Sequence, residues 1–451
     1  MSIIKIDYEN GSIRKLFVKQ LIPSVLGMVF SALFVIVDGI FVGRGIGSDA
    51  LAAVNIVAPI FTMMTGIGLM FGMGAAIIAT IHLSKKKGKS ANIIITQSFT
   101  ISSLIMLLFT LLVICFPKQI TVILGTPEDL ITMETEYLTW ISCFSVFQTA
   151  ISSLPFFVRI SNPNYSLICL SVATVLNIVL DYIFIFVFKW GLKGAATATG
   201  IGQVMATLML VSYLIKDTTE LKFVKLHITY KNMQCALRNT AIIVRLGFAV
   251  FLSELTISIM SIAGNYTFSF YIGVAGVAAF SIINYMFPIV YMVFNAISQS
   301  AQPIISYNYG QNKRDKYIST LRLAIWTTIV ISGIFVSILT LFNHQFVSLF
   351  IPDRTNPAWE IATNGLPYFS LDFIFFGVNV IAIGYYMSVQ NVKRAMMFTI
   401  IRGVFPIICF VIIPVWLGIK GIWLSVPIAE ISTTLIILII ITKTKFSIHK
   451  K

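Results

Sequence analysis

Charge is scarce in this chain. Only 11% of its 451 residues are Asp, Glu, Lys or Arg, where a soluble domain carries about a quarter. Together with a hydrophobic content of 57%, that scarcity excludes a disordered chain and an ordinary soluble globule. Histidine is rarer still: His82, His227, His344 and His449 all fall in loops or tails. No His-Glu-x-x-His or nucleophile elbow is present, so the chain is not read as an enzyme. Of the five cysteines, four lie inside apolar runs, and no spacing suggests a metal or disulfide framework. A phosphate loop is also missing. Gly88-Lys89-Ser90 looks like the end of one, but Leu83 stands where its first glycine would be required. No ATP site or other cofactor is expected. Residues 2–20 lack a short apolar core with a cleavage site, so no cleaved signal peptide is expected.

What the chain has is long apolar runs. They fall at about 17–42, 52–80, 92–116, 135–158, 165–188 and 193–215, then at about 242–267, 274–301, 318–342, 362–389, 396–417 and 421–442. Each is long enough to cross a bilayer as a helix, for which about 20 residues suffice. The reading is an all-α polytopic membrane protein with twelve transmembrane helices. The short alternating segments of a β-barrel are not seen. The net charge of +15 then speaks of loops facing an anionic leaflet rather than of nucleic acid. Most Lys and Arg lie in loops on the side of the two termini. Arg44, Lys118, Lys189, Lys193, Arg354 and Lys420 lie opposite, so both termini are expected in the cytoplasm.

The two sets of six spans resemble each other. Ser84-Lys-Lys-Lys-Gly88 matches Ser306-Tyr-Asn-Tyr-Gly310, Gly191-Leu-Lys-Gly194 matches Gly418-Ile-Lys-Gly421, and Ala50-Leu-Ala-Ala-Val matches Gly276-Val-Ala-Ala-Phe. The offsets, 222 to 227, fall in corresponding loops. Six being even, both halves enter the membrane from one side, as a parallel repeat does. Two pseudo-symmetric six-helix lobes follow: 1–216 and 241–451, joined by a cytoplasmic linker at 217–240. A monomer would suffice, and parallel lobes of this kind point to a transporter.

Five carboxylates sit within the spans: Asp38, Asp181, Glu254, Asp372 and Glu430. Each costs roughly 2.5–3.5 kcal/mol at mid-membrane and so demands a reason. No Lys lies in a span, and Arg245 and Arg402 sit towards cytoplasmic ends, Arg402 the deeper. With too few fixed partners, the carboxylates could be neutralised in turn by a proton, a metal cation or a cationic substrate, which is the logic of antiport. Asn177 and Asp181 are four apart and share a helix face. With Asp38 and Thr199 they offer hard oxygens suited to Na⁺, or a carboxylate pair able to share a proton. The plain alternative is a buried polar network that pins helices together. Glu254 and Asp372 form a second candidate pair. Glu430, whose repeat counterpart is Gln203, reads first as a buried protonated group bonded to a neighbour. Gly66, Gly68, Gly72 and Gly74 read as close helix packing. The many Phe, Tyr and Met are mostly packing or lipid-facing residues, compatible with a greasy cavity.

The ordered set of motifs resembles the multidrug and toxic compound extrusion (MATE) transporters over nearly the whole chain. It comprises Val37-Asp38-Gly39, Gly47-Ser-Asp-Ala-Leu-Ala-Ala53, Pro59, Leu176-Asn177-x-x-x-Asp181, Gly194-Ala-Ala-Thr-Ala-Thr199, Ala301-Gln302-Pro303 and Asn308-Tyr-Gly310. The resemblance implies twelve helices in two lobes, exporting organic cations in exchange for inward H⁺ or Na⁺ across the cytoplasmic membrane of a prokaryote. It implies a cation-coupling site at Asp38, Asn177, Asp181 and Thr199, holding a metal only if the coupling ion is Na⁺. Pro23 would let the first helix bend. Glu254 and Asp372 match acidic residues that some branches use for coupling or substrate binding. Tyr182 departs from the pattern, where Pro is expected. The rival reading within the superfamily is a lipid-linked saccharide flippase, which would need an anion-receiving cleft. A major-facilitator carrier would show an Asp-Arg-x-Gly-Arg type motif in the loop that here reads Ser84-Lys-Lys-Lys-Gly-Lys-Ser90. A non-transporting receptor finds no signalling domain in these short loops.

Overall fold

In a bilayer every backbone polar group must find a partner within the chain. The computed structural model of this protein, which describes residues 8–9, 11–124, 130–216, 221–226, 229–350 and 353–448, meets that demand with helices. His227, His449 and positions 217–220 and 227–228 of the expected linker lie outside the described residues, as do the side chains at 48, 49, 51 and 52. The first half comprises α1 (Ile13–Gly45), α2 (Ser48–Ser84), α3 (Gly88–Cys115), a short α4 (Pro117–Ile123), α5 (Ile131–Ser142), α6 (Ser145–Ser161), α7 (Pro163–Asp181) and α8 (Gly191–Ile215). The second comprises α9 (Tyr230–Ile272), α10 (Val274–Gly310), α11 (Arg314–Leu341), α12 (Asn343–Phe350), α13 (Pro357–Ser370), α14 (Asp372–Ser388) and α15 (Val392–Ile448).

Twelve spans come from these elements. Two are broken: α5 with α6 bends by 49° and α13 with α14 by 41°, and each pair makes one crossing. The long α15 makes two, because Gly418 (φ 57°, ψ −141°) reverses the chain inside it. Asparagine and proline open several helices. Asn162 accepts from the Tyr165 N–H at 3.1 Å ahead of Pro163, and Asn356 accepts from the Ala358 N–H at 2.9 Å ahead of Pro357. In both, the side-chain oxygen satisfies a free donor of the first turn, and proline occupies a position needing none.

The duplication is written in the backbone. α11 begins and ends 226 residues after α3, α12 begins 226 after α4, and α14 begins and ends 227 after α6. The left-handed turn residues recur with the same spacing: Gly47 with Gly273, Lys86 with Asn312, and Gly191 with Gly418.

The chain divides into two compact units, Met1–Phe251 with Ser306–Arg314, and Leu252–Ile305 with Asp315–Lys451. At the heart of the first is α2, whose apolar window is 83% buried where that of α1 is 14%. Its glycines make this possible. A Cβ on Gly68 would lie 2.7 Å from the Thr149 carbonyl oxygen, and one on Gly72 2.7 Å from Ser153 Cα, so α6 packs directly on the α2 backbone. Gly74 meets Ile243 of α9 in the same way. These are close helix contacts, the role the sequence suggests for them.

Candidate functional site

The first unit gathers Asp38 from α1, Asn177 and Asp181 from α7, and Thr199 from α8. Asp181 is fully buried, Asn177 and Thr199 nearly so, and Asp38 is partly exposed. Gly202 sets the distance between α7 and α8: a Cβ there would come 2.8 Å from the Ala173 carbonyl oxygen. Over that crossing Asn177 Nδ2 donates to Thr199 Oγ1 at 3.3 Å. The Asp38 and Asp181 carboxyl groups lie within hydrogen-bonding reach of each other, and Tyr137 of α5 sits in the field of both.

What the site lacks is donors. Asp38 Oδ1, Asn177 Oδ1 and both oxygens of Asp181 are buried without a hydrogen-bond partner. Two carboxylates cannot satisfy one another, since an ionised carboxylate only accepts. The oxygen set fits a shared proton or a small hard cation. Val42, Ile185 and Ala195, each four residues from Asp38, Asp181 and Thr199, belong to one apolar cluster with Ala50, Ala53 and Leu192. That cluster thus lies about one helical turn from the site residues. Beyond Asp181 the helix widens into a π-turn, Tyr182–Val187. There the Phe188 N–H bonds to the Ile183 carbonyl at 2.9 Å. Tyr182, standing where the family pattern has Pro, therefore opens a π-turn, and π-turns within helices are frequent at functional sites. Pro23 is buried inside α1, fifteen residues before Asp38 and thus about 22 Å along the helix.

The second unit holds Glu254 on α9 and Asp372 at the start of α14. Tyr291 of α10 donates to Glu254 Oε1 at 2.8 Å. Asp372 is fully buried and neither of its oxygens has a partner. Both carboxylates lie in the field of Arg402. That arginine donates through Nε to Glu430 Oε1 at 2.9 Å, with both side chains nearly buried. Its guanidinium carbon stands 4.2 Å from the centroid of the Phe376 ring. Asn379 Nδ2 donates to Glu430 Oε2 at 2.6 Å, and Thr434 Oγ1 to Asn379 Oδ1 at 2.9 Å. Gly403 lets α15 press against Thr256, two residues beyond Glu254 on α9.

Glu430 is bonded to a neighbour, as the sequence reading expects, but that neighbour is the Arg402 guanidinium, so the acid is one half of a buried ion pair rather than a protonated group. Sequence reasoning also left Arg402 without a partner. The signal that could have joined them is their similar distance from Gly418, which sets them level on the two arms of a helical hairpin. In the first unit the corresponding tie is neutral: Gln203 Nε2 donates to Gln148 Oε1 at 2.6 Å and Gln148 Nε2 to Thr65 Oγ1 at 2.7 Å.

Comparison with known proteins agrees with this architecture. The MatE family model matches residues 23–183 and again 249–412, two stretches that start 226 residues apart. Multidrug export protein MepA of Staphylococcus aureus is 24% identical over 424 residues, spanning 94% of this chain and 92% of its own. The probable multidrug resistance protein YoeA of Bacillus subtilis is 27% identical over 342 residues, 74% of this chain and 73% of its own. Among solved structures, an outward-facing multidrug resistance MATE family transporter of the MOP superfamily superposes with a TM-score of 0.90 at 19% identity, each chain covered in full. A MOP superfamily transporter from Pyrococcus furiosus, described as having a binding pocket of reversed polarity, superposes at 0.89, also at 19% identity and full coverage. With the model matched in both halves, the chain belongs to the MatE family of multidrug and toxic compound extrusion proteins, and is a multi-pass membrane transporter rather than an enzyme.

Proposed function

We propose that this transporter exports organic cations, drugs among them, in exchange for H⁺ or Na⁺ entering across the cytoplasmic membrane of a prokaryote. The observation that carries the reading is the facing pair of a partly exposed Asp38 and a fully buried Asp181, set beside Asn177 and Thr199 and short of donors. A buried charge without a partner is costly, so the set invites a cation in one state of the cycle and releases it in another. A ligand drives such a switch only through its differential affinity for the two states. The names of the curated relatives, multidrug export and multidrug resistance proteins, support the choice of cargo.

In this scheme residues 1–216 and 241–451 are the two lobes, 217–240 joins them on the cytoplasmic side, and both termini are cytoplasmic. A monomer in the lipid bilayer is sufficient, with no nucleic-acid partner and no cofactor. Asp38, Asn177, Asp181 and Thr199 take the coupling ion and ligate a metal only if that ion is Na⁺. Pro23 lacks the N–H that would bond to residue 19 and gives α1 a place to bend when the site fills. Glu254 and Asp372 hold a second ion or the positive end of the cargo. The flippase reading needs unpaired cationic groups for an anionic cargo, whereas Arg402 is already bonded to Glu430.

The test is efflux of a fluorescent organic cation from proteoliposomes under Na⁺ and pH gradients imposed separately. Wild type should respond to one gradient, and Asp38→Asn and Asp181→Asn should each lose at least nine-tenths of that efflux while still inserting. Full efflux in both variants would overturn the assignment of the coupling site.

A further inference from the structure

Three carboxylates and one guanidinium share the interior of the second unit. Glu430 has both oxygens engaged, one by Arg402 Nε at 2.9 Å and one by Asn379 Nδ2 at 2.6 Å. Arg402 is held in turn by Glu430 and by the face of Phe376 at 4.2 Å. It cannot swing to Asp372 without giving up both. Asp372 is left fully buried with two unpartnered oxygens, and Glu254 has its hydrogen bond from the neutral Tyr291 hydroxyl. With all groups ionised, the cluster carries two negative charges in excess. The resident guanidinium also occupies an aromatic face that would otherwise attract an external cation.

We propose that the Arg402–Glu430 pair is a specificity-determining device, fixing the charge valence of the cation accepted beside Asp372 and Glu254. The inference rests on the export reading and refines it. Removing Arg402 leaves one further negative charge and frees the Phe376 face. Removing the Glu430 charge leaves one fewer. A change of one unit acts twice as strongly on a dication as on a monocation. At a separation of about 8 Å and an effective dielectric of about 20, it alters their affinity ratio roughly thirtyfold. Exchanging both residues for glutamine restores the net charge, so the device is distinguishable from a merely structural contact.

Ethidium and propidium test this, since they share a ring system but carry one and two positive charges. Binding to the purified full chain is read by fluorescence polarisation, and transport by dye movement in proteoliposomes. Arg402→Gln should lower the propidium-to-ethidium Kd ratio by tenfold or more, and Glu430→Gln should raise it by a similar factor. The double variant Arg402→Gln/Glu430→Gln should return it to within about threefold of wild type, these margins following from the same Coulomb estimate. If Arg402→Gln does not fold, the opposite shift in Glu430→Gln and the reversion in the double variant carry the test. An unchanged ratio in Glu430→Gln, or a double variant that departs as far as either single one, overturns the proposal. A wild type that binds both dyes with the expected shifts in its variants but transports neither overturns the export reading alone.

Discussion

Gly202→Ala tests the geometry of the α7–α8 crossing with a single methyl group. The added Cβ would come 2.8 Å from the Ala173 carbonyl oxygen, well inside ordinary carbon–oxygen contact, and the obstacle is backbone, which no rotamer change can clear. The helices must separate by about 0.5 Å or more, at a cost of roughly 1–3 kcal/mol for overpacking. The hydrogen bond from Asn177 Nδ2 to Thr199 Oγ1 is already 3.3 Å long, so that separation breaks it. Once broken, nothing at Thr199 fixes the Asn177 amide beside the carboxylates. The expected result is a fall of about tenfold in affinity for the coupling ion, equal to about 1.4 kcal/mol, with insertion intact. Solid-supported membrane currents on reconstituted protein read that affinity. Thr199→Val should mimic the effect, and the double variant should add little, because both act on one bond. Gly333→Ala is the control, since a Cβ there meets nothing within 4 Å; it should stabilise α11 by about 0.5–1 kcal/mol. Wild-type ion affinity in Gly202→Ala would refute the account of how α8 positions the site.

The neutral tie of the first unit and the turns of the repeat yield two more expectations. Gln203→Leu removes the donor to Gln148 Oε1 and should destabilise by about 1–3 kcal/mol, the cost of a buried unsatisfied acceptor. Thermal unfolding in detergent reads it, and Gln148→Leu/Gln203→Leu should lose less than the sum of the singles. Gly418→Ala meets no steric obstacle at its Cβ, yet its φ of 57° with ψ of −141° lies outside the αL well and should cost about 1–3 kcal/mol. An alanine variant as stable as wild type would show that the turn relaxes freely.

Hydropathy made the spans legible, because the bilayer imposes one length and one composition on every crossing. The breaks within two of them were not. The runs at 135–158 and 362–389 pass for single spans by composition despite scattered polar residues, and the bends fall near Phe144 and Leu371, with no proline or glycine at either break. The short α4 and α12 escaped notice because one turn or two of amphipathic helix is indistinguishable from loop by hydropathy. Asn177 and Asp181 could be placed together from their spacing, since one helix carries both. Asp38 and Thr199 could be offered as their partners by residue chemistry, but no spacing brings them there, because contacts between helices have no period in the sequence. The Arg402–Glu430 bond also joins two helical arms, but there the turn at Gly418 between them supplies a signal that the first site lacks.

The paired left-handed turns, Gly47 with Gly273, Lys86 with Asn312 and Gly191 with Gly418, keep the two halves in register. That register exposes a divergence. At an offset of 226 Asp38 stands opposite Gly264 and Glu254 opposite Met28, and at the 227 that relates α14 to α6 Asp372 stands opposite Ser145 and Asp181 opposite Ile408. None of the four acids has an acidic twin. A gene that doubles itself hands each copy the same scaffold and frees either one to abandon what the other retains. Here the two copies have kept their hinges and parted in their chemistry, so an acid set can be grafted from one half to the matching positions of the other without remaking a single turn.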